Sequence, residues 1–401
     1  NRQARFEEGN RVLVAVVGGN LQGIEAAYLA KKAGWQVLMI DRKAVVPAAG
    51  LCDRFNQVNI TTQKGLERAL KGVDLVIPAL ENHDALACLE RWSLNSEIPF
   101  VFDPVAYSIS SSKVKSDQLF ARIGVPTPLP WPECNFPVLA KPSMGSGSQK
   151  VSVFHNSENL HAHQNESVEE WVLQEFVPGP SYSIEVVGRP GNYLPLQVTG
   201  LQMDANYDCK RVLAPTDLTP SLISEFEKIS RSIAETMALK GLMDVEVILH
   251  EETLKVLEVD ARLPSQTPTA VFWSTGINIL EMLADLFLNK GDPSRGDMDA
   301  PMGVVCEHIK VTPDCLEVAG EHVMSGTDAL QIRKNFFGAN EAITNYRPPR
   351  QEWVATLIIS EETREMAWER RNGVISDIRQ HFELEEYQDL APMVDIKEKR
   401  R

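Results

Sequence analysis

Two apolar, strand-like runs constrain this chain more than any other feature: LMDVEVIL at 242–249 and LKVLEVDA at 254–261, joined by HEET. Runs of this kind around a short polar connection predict an antiparallel hairpin. Side chains alternate between the two faces of a strand, so Glu258, Asp260 and Arg262 share one face, and Glu246 stands on the neighbouring strand twelve residues earlier. Carboxylates gathered on one face repel one another unless a cation sits among them. Mg2+ takes carboxylate and phosphate oxygens, so Glu246, Glu258 and Asp260 are candidate metal ligands beside a nucleotide's phosphates. Arg262 could hold a transferred phosphoryl group or a developing oxyanion. The alternative is a solvated face laced with ion pairs. The Val, Leu and Ile neighbours, in place of Lys and Thr, favour a site.

The N-terminal region has a different texture. VLVAVV (12–17) suits a strand buried on both faces, GGNLQG follows, and a helical stretch ends at Gly34 before QVLMI and Asp41. Strand, glycine turn, helix and strand in that order begin a βαβ unit. VDLVIPAL (73–80) and PFVF (99–102) read as further strands of the same parallel sheet, closing a first unit near Pro104. A helix over 113–123 is stopped by the prolines of VPTP. FPVLAKP, QKVSVF, WVLQEF and YSIEVVG then suggest antiparallel strands. Helices are expected over 221–239, 275–288 and 363–381, with strands at VVCEHIKV and WVATLIIS.

Two further segments carry candidate chemistry. The turn Gly18-Gly19-Asn20-Leu21-Gln22-Gly23 lacks the middle glycine of a dinucleotide fingerprint, and Asp41 stands where a nicotinamide enzyme binds ribose. The turn therefore serves either a ligand or packing. SMGSGSQKV (143–151) is a glycine–serine loop of the kind that folds over phosphates. Lys141, two residues before it in VLAKP, needs an anion if it lies on a buried strand, or else reaches out to solvent.

Bulk properties exclude several classes. The net charge is −15 and the one basic run is the C-terminal KEKRR, which argues against a nucleic-acid partner. None of the six cysteines forms CxxC, and Cys306 and His308 lack a second ligand pair at zinc spacing, so reduced thiols are expected. No apolar run reaches the roughly 18–20 residues needed to span a bilayer, and NRQARFEEGN is too polar for a signal peptide. The expectation is a cytoplasmic protein acting on small molecules, with neither membrane nor nucleic acid as partner.

Taken together, these runs resemble the ATP-grasp superfamily over about residues 12–380. The resemblance implies an α/β chain (with α+β lobes): an ATP-grasp fold with an N-terminal Rossmann-like pre-grasp domain. It divides the chain into a pre-grasp domain (11–104), a small lobe (105–178), a large lobe with a C-terminal extension (179–385) and a tail (386–401). It implies ATP and Mg2+ as cofactors. Lys113 and Lys141 match the phosphate-contacting lysines, SMGSGS with Ser146 the phosphate loop, and Gln174, Glu175, Phe176 and Val177 the adenine hinge. Glu246, Glu258 and Asp260 match the metal ligands, and Arg262 the arginine beside an acyl-phosphate, which gives Arg262 and Lys141 catalytic roles. Ser181 departs from the ribose-holding Glu of many members, and Ser112 from the usual Asp before the first lysine.

Within the superfamily, VVGGNLQGIEAAYLAKKAG, PALENHDAL, ANYDC, LKGLMDVE and VLEVDARLPSQTPT look like the 3-methylornithine–lysine ligase family of pyrrolysine biosynthesis. That resemblance implies ATP-dependent joining of the carboxylate of 3-methylornithine, or a D-ornithine analogue, to the ε-amine of L-lysine. The route is an acyl-phosphate, and ADP and phosphate are released. Substrates with several ammonium groups call for acids and hydroxyls: Glu81, Ser183, Glu185, Asp208, Ser265 and Gln266, together with Asn20, Leu21, Gln22 and Asp41 near the glycine turn. Glu185 stands out because it lies between Ile and Val. Competing readings are another ATP-grasp amino-acid ligase of the D-alanine–D-alanine type, a carboxyaminoimidazole ribonucleotide synthase-like enzyme, a nucleotide-binding module without catalysis, and a nicotinamide oxidoreductase. Many superfamily members are dimers, which leaves a homodimer open.

Overall fold

The computed structural model describes residues 12–144, 151–166, 170–294 and 300–392. β1 (Leu13–Val17) is buried along its whole length and leads through the glycine turn into α1 (Leu21–Lys32) and β2 (Gln36–Asp41). Gly18 adopts φ +106°, and a Cβ there would lie 2.3 Å from the Ala79 carbonyl oxygen, so only glycine makes this turn. β3 (Arg54–Gln57), α2 (Gln63–Ala69), β4 (Leu75–Pro78) and α3 (His83–Ser93) follow, and the parallel sheet runs β3-β2-β1-β4. The strand expected at 99–102 contributes a single bridge, Val76 to Phe100. Pro99 offers no N–H, and Asp103 already caps the next helix, α4 (Pro104–Ser110), by accepting from the N–H groups of Val105 and Ala106.

α5 (Lys113–Ile123) spans the residues expected of it and ends at Gly124 with φ 72°. A small antiparallel sheet, β6-β5-β7, comes next, built from β5 (Val138–Pro142), β6 (Ser152–Phe154) and β7 (Trp171–Glu175), with α6 (Ser157–Glu166) between the last two.

The large sheet follows. Its strands are β8 (Ser181–Arg189), β9 (Asn192–Pro195), β10 (Thr199–Met203), β11 (Cys209–Ala214), β12 (Gly241–His250) and β13 (Thr253–Asp260). Beyond them lie β14 (Gly303–Val311), β15 (Cys315–Val318), β16 (Gln331–Phe336), β17 (Ala339–Thr344), β18 (Trp353–Glu361) and β19 (Glu386–Gln388). The main path is β13-β12-β8-β10-β11-β14-β18-β17-β16. The β12–β13 hairpin turns through Glu251 and Glu252 at φ 47° and 61°, the left-handed pair of a type I′ turn.

The helix expected over 275–288 begins only at Ile279, and a further helix that the sequence pattern does not announce precedes it. α8 (Thr267–Thr275) stops at Gly276, which takes φ 77°, and α9 (Ile279–Phe287) restarts on the side-chain cap of Asn278. α7 (Pro220–Met237) and α10 (Arg364–His381) fall close to their expected positions. Residues 386–388, set aside from the sequence as the start of a tail, form β19 and pair in parallel with β15. The pre-grasp unit is bolted to the large sheet through Tyr28. Its hydroxyl donates to Glu341 Oε2 (2.7 Å) and accepts from Trp273 Nε1 (2.8 Å). Among the described residues no single helix is long and apolar enough to cross a membrane.

Candidate active site

The register of three neighbouring strands builds the site. Glu185 of β8, Asp244 of β12 and Asp260 of β13 lie in one row across the sheet, and Ser183, Glu246 and Glu258 lie in the next. Rows two residues apart share a face, so Glu185, Asp244, Glu246, Glu258 and Asp260 converge on one side of the sheet. Asp244 is absent from the sequence reading, although its spacing of two from Glu246 is the signal that would have found it.

Three cations meet this face. Lys113 Nζ lies 2.8 Å from Glu258 Oε1. Arg262 places Nη2 3.0 Å from Asp260 Oδ2 and Nε 2.8 Å from Glu81 Oε1. Lys141 Nζ donates to the Leu257 carbonyl at 3.0 Å. The charges do not balance evenly. Burial alone would raise the Glu258 carboxyl, but Lys113 and Lys141 pull it below its ordinary value. Burial pushes Glu246 well above its ordinary value, and Asp244 and Glu258 push it the same way. Burial also lowers the Lys141 ammonium, against the pull of Glu258 and Asp117. Among the described residues Glu246 has no ion-paired cation, while Glu258 beside it feels two lysines, and a divalent ion would relieve such a donor set. The residues present therefore fit Mg2+.

Glu246 and Glu258 open onto a cavity of about 390 Å³ between the small and large sheets. It also gathers Lys113, Lys141, Gln174, Glu175, Phe176 and Val177, every candidate nucleotide contact in the described residues. Ser146 lies outside the described residues. Leu139, Ile248 and Leu257 give the cavity apolar walls, and Ser181 is on its rim. The Glu175 carboxylate is held by Lys255 Nζ (2.6 Å) and the Leu129 N–H (3.2 Å), and its own backbone N–H donates to the Leu129 carbonyl at 2.8 Å.

A second cavity, about 590 Å³, lies at the carboxyl ends of β1, β2 and β4, where open parallel sheets receive ligands. Asn20, Leu21, Gln22, Asp41 and Glu81 line it together. Asp41 Oδ2 accepts from the Gly19 N–H (2.9 Å), tying the glycine turn to the end of β2. Asn20 Nδ2 donates to Ser325 Oγ (2.8 Å), and Gln22 Nε2 donates to Glu81 Oε1 (3.0 Å). Arg262 grips Glu81, which lines the second cavity, and Asp260, two residues along β13 from Glu258, which lines the first. Burial alone would weaken its hold on its proton, but Asp260 and Glu81 more than offset that.

The remaining candidates lie elsewhere. Ser183 and Glu185 line neither large cavity. Ser183 Oγ donates to Asp244 Oδ1, and Glu185 is fully buried with no hydrogen bond of normal geometry to either oxygen. Burial pushes its carboxyl up to about 7. Ser265 and Gln266 line an internal cavity of about 30 Å³, where Gln266 Nε2 donates to Glu321 Oε2 at 2.8 Å. Asp208 Oδ2 pairs with His322 Nδ1 at 2.9 Å. Glu321 and His322 escaped the sequence reading because they sit in a short turn more than a hundred residues from Asp208, with no local spacing to mark them.

A family described as an ATP-grasp domain matches residues 110–266, from the end of α4 through the acidic hairpin. The 3-methyl-D-ornithine–L-lysine ligase of Methanosarcina mazei is 35% identical over 372 residues, covering 92% of this chain and 96% of that protein. The ligase of the same name from Methanosarcina barkeri is 36% identical over 323 residues, covering 80% of this chain and 81% of that protein. Among solved structures, the ADP complex of an N5-carboxyaminoimidazole ribonucleotide synthetase gives a TM-score of 0.68 at 16% identity, over 93% of this chain and 98% of that one. The biotin carboxylase of Campylobacter jejuni gives 0.70 at 15% identity, over 91% of each chain. These two likenesses concern the fold alone: an ATP-grasp pair of sheets preceded by a Rossmann-like α/β domain. With relatives matched along nearly their whole length and the fold in agreement, the chain belongs to the 3-methyl-D-ornithine–L-lysine ligase family of ATP-grasp proteins.

Proposed function

We propose that this chain uses ATP to join the carboxylate of 3-methyl-D-ornithine to the ε-amine of L-lysine through an acyl-phosphate, releasing ADP and phosphate. One observation carries the reading: a row of charged side chains, ion-paired as Lys113–Glu258, Asp260–Arg262 and Arg262–Glu81, leads from the nucleotide cavity to the second cavity. Such a line suits a reaction in which a phosphoryl group leaves one cavity and an acyl group is taken up beside the other.

The roles follow from position. Lys113 and Lys141 would bind the nucleotide phosphates, and the hinge at Gln174–Val177 the base. Glu246 and Glu258, with Asp260 beside them, would hold Mg2+, which when bound neutralises phosphate charge. Arg262, at the junction, would steady the phosphoryl group as it becomes part of the mixed anhydride. A carboxylate does not accept an amine at neutral pH, but an acyl-phosphate does: the neutral amine nitrogen forms the C–N bond and gives up one proton, and the bond between the acyl carbon and the phosphate oxygen breaks with its electron pair leaving on phosphate. Glu81 and the polar groups of the second cavity would seat the ammonium-bearing substrates and align the attacking amine. The lobes must keep water from the anhydride. The six thiols, all unpaired, support a reducing, cytoplasmic setting.

The test is incubation of the full chain with Mg-ATP, D-ornithine and L-lysine, reading phosphate release and the mass of the condensed dipeptide. Turnover that needs both amino acids is the expected result. Turnover that instead needs bicarbonate or a ribonucleotide, or no turnover at all, rejects the reading.

A further inference from the structure

The nucleotide cavity has a wall from an unexpected source: Ala391 and Pro392, just beyond the last strand, line it alongside the hinge. What holds them there is Asp389. Its Oδ1 lies 2.6 Å from Lys210 Nζ, and its Oδ2 lies 2.7 Å from Arg211 Nη2 and 3.2 Å from the Tyr387 hydroxyl. Lys210 Nζ also donates to the Leu390 carbonyl at 2.5 Å. The Lys210 and Arg211 side chains are 4% and 3% exposed, so both charges depend on partners inside the protein.

Consecutive residues of a strand normally point to opposite faces, yet Lys210 and Arg211 reach the same carboxylate. The register explains it. Arg211 pairs with Gln202 and Cys209 with Met203, which leaves Lys210 as the extra residue of a β-bulge and turns its side chain toward Asp389. On the far side Arg211 and Arg371 both pair with the buried Glu307, so the clamp is braced against β14 and α10. The neighbouring strand β10 contributes Leu201 and Met203 to the same cavity. The clamp and the wall are thus parts of one assembly around the nucleotide site.

We propose that Asp389 is a positioning residue for the nucleotide: by pinning the segment after β19 to the bulge in β11, it makes Ala391 and Pro392 a wall of the ATP cavity. The inference rests on the reading of that cavity as the nucleotide site. The alternative role is a staple that only secures β19.

The experiment uses the full chain and three variants, Asp389→Asn, Asp389→Glu and Pro392→Asp. It measures binding of a non-hydrolysable ATP analogue, KM for ATP, kcat and melting temperature. Pro392→Asp leaves the clamp intact and alters only the wall, so it decides the matter even if Asp389→Asn folds poorly. Asp389→Asn and Pro392→Asp are each expected to weaken analogue binding and raise KM for ATP by about tenfold, with kcat within about twofold of the unmodified chain. Asp389→Glu should restore most of the affinity. If analogue affinity is unchanged in Pro392→Asp, or if Asp389→Asn lowers only the melting temperature, the inference fails. If the unmodified chain binds no nucleotide, the reading of the cavity fails with it.

Discussion

Glu246 stands directly opposite Glu258 across the β12–β13 ladder. Such a pair brings its Cβ atoms to about 5 Å, where like charges destabilise the sheet. Lys113 Nζ lies 2.8 Å from Glu258 Oε1, on one side of the pair. The arrangement makes sense where a cation of higher charge completes it. Glu258→Gln is therefore expected to lower kcat by about a hundredfold or more while the far-ultraviolet circular dichroism and melting curve stay close to those of the unmodified chain. Near-normal turnover in this variant would remove Glu258 from the metal site.

Arg262 joins Glu81, which lines the second cavity, to Asp260 through two different nitrogens, Nε and Nη2. A lysine offers one compact charge and cannot reproduce that fork. Arg262→Lys should fold and bind ATP almost normally yet lose about a hundredfold in dipeptide formation. A variant that instead loses ATP affinity with kcat preserved would place Arg262 in nucleotide binding.

The legibility of this chain followed the range over which its signals act. The acidic hairpin could be read because alternation along a strand is local: Glu258, Asp260 and Arg262 declare a shared face within five residues. Lys141 is legible on the same terms, as a cation inside an apolar run, whereas Lys113 is marked only by its likeness to the superfamily motif. Signals made by long-range pairing were invisible. That Glu185 and Ser183 share rows with Asp244 and Glu246 follows from the register with β12, which no local spacing announces. The break between α8 and α9 turns on one left-handed glycine, which periodicity alone passes over. Asp389 looked like part of a polar tail because its partners, Lys210 and Arg211, lie far back in the chain and face it only through a bulge.

Glu81 faces the second cavity with one carboxylate oxygen held by both Gln22 and Arg262. If it helps seat an ammonium group, Glu81→Gln keeps an acceptor for Gln22 but loses the charge. KM for one amino-acid substrate should rise by about tenfold or more, the range expected for a lost charged hydrogen bond, with KM for ATP little changed. Steady-state kinetics with each substrate varied in turn checks this. Equal rises in all three KM values would mean that the variant disturbs the fold around Arg262.

Glu25 gives a stability prediction that is independent of catalysis. It is 5% exposed on α1, and its Oε1 accepts the Thr269 N–H at 2.6 Å, near the start of α8. A carboxylate at a helix start is favoured, but burial is the larger effect and pushes the carboxyl from 4.5 up to about 7. Below pH 4.5 the group is protonated in both folded and unfolded chains. Between pH 4.5 and about 7 the unfolded chain gives up the proton while the folded chain keeps it, so stability falls as pH rises. Above that range both forms are ionised and the full penalty, about 3 kcal/mol at most, remains. Glu25→Gln keeps an oxygen for the Thr269 N–H and carries no charge at any pH. The variant should match the unmodified chain at pH 4 and exceed it by about 1–3 kcal/mol at pH 8 in urea unfolding. Glu185, also pushed up to about 7, preserves part of the slope in the variant. An equal stability difference at both pH values would show that Glu25 does not titrate across this range in the folded protein.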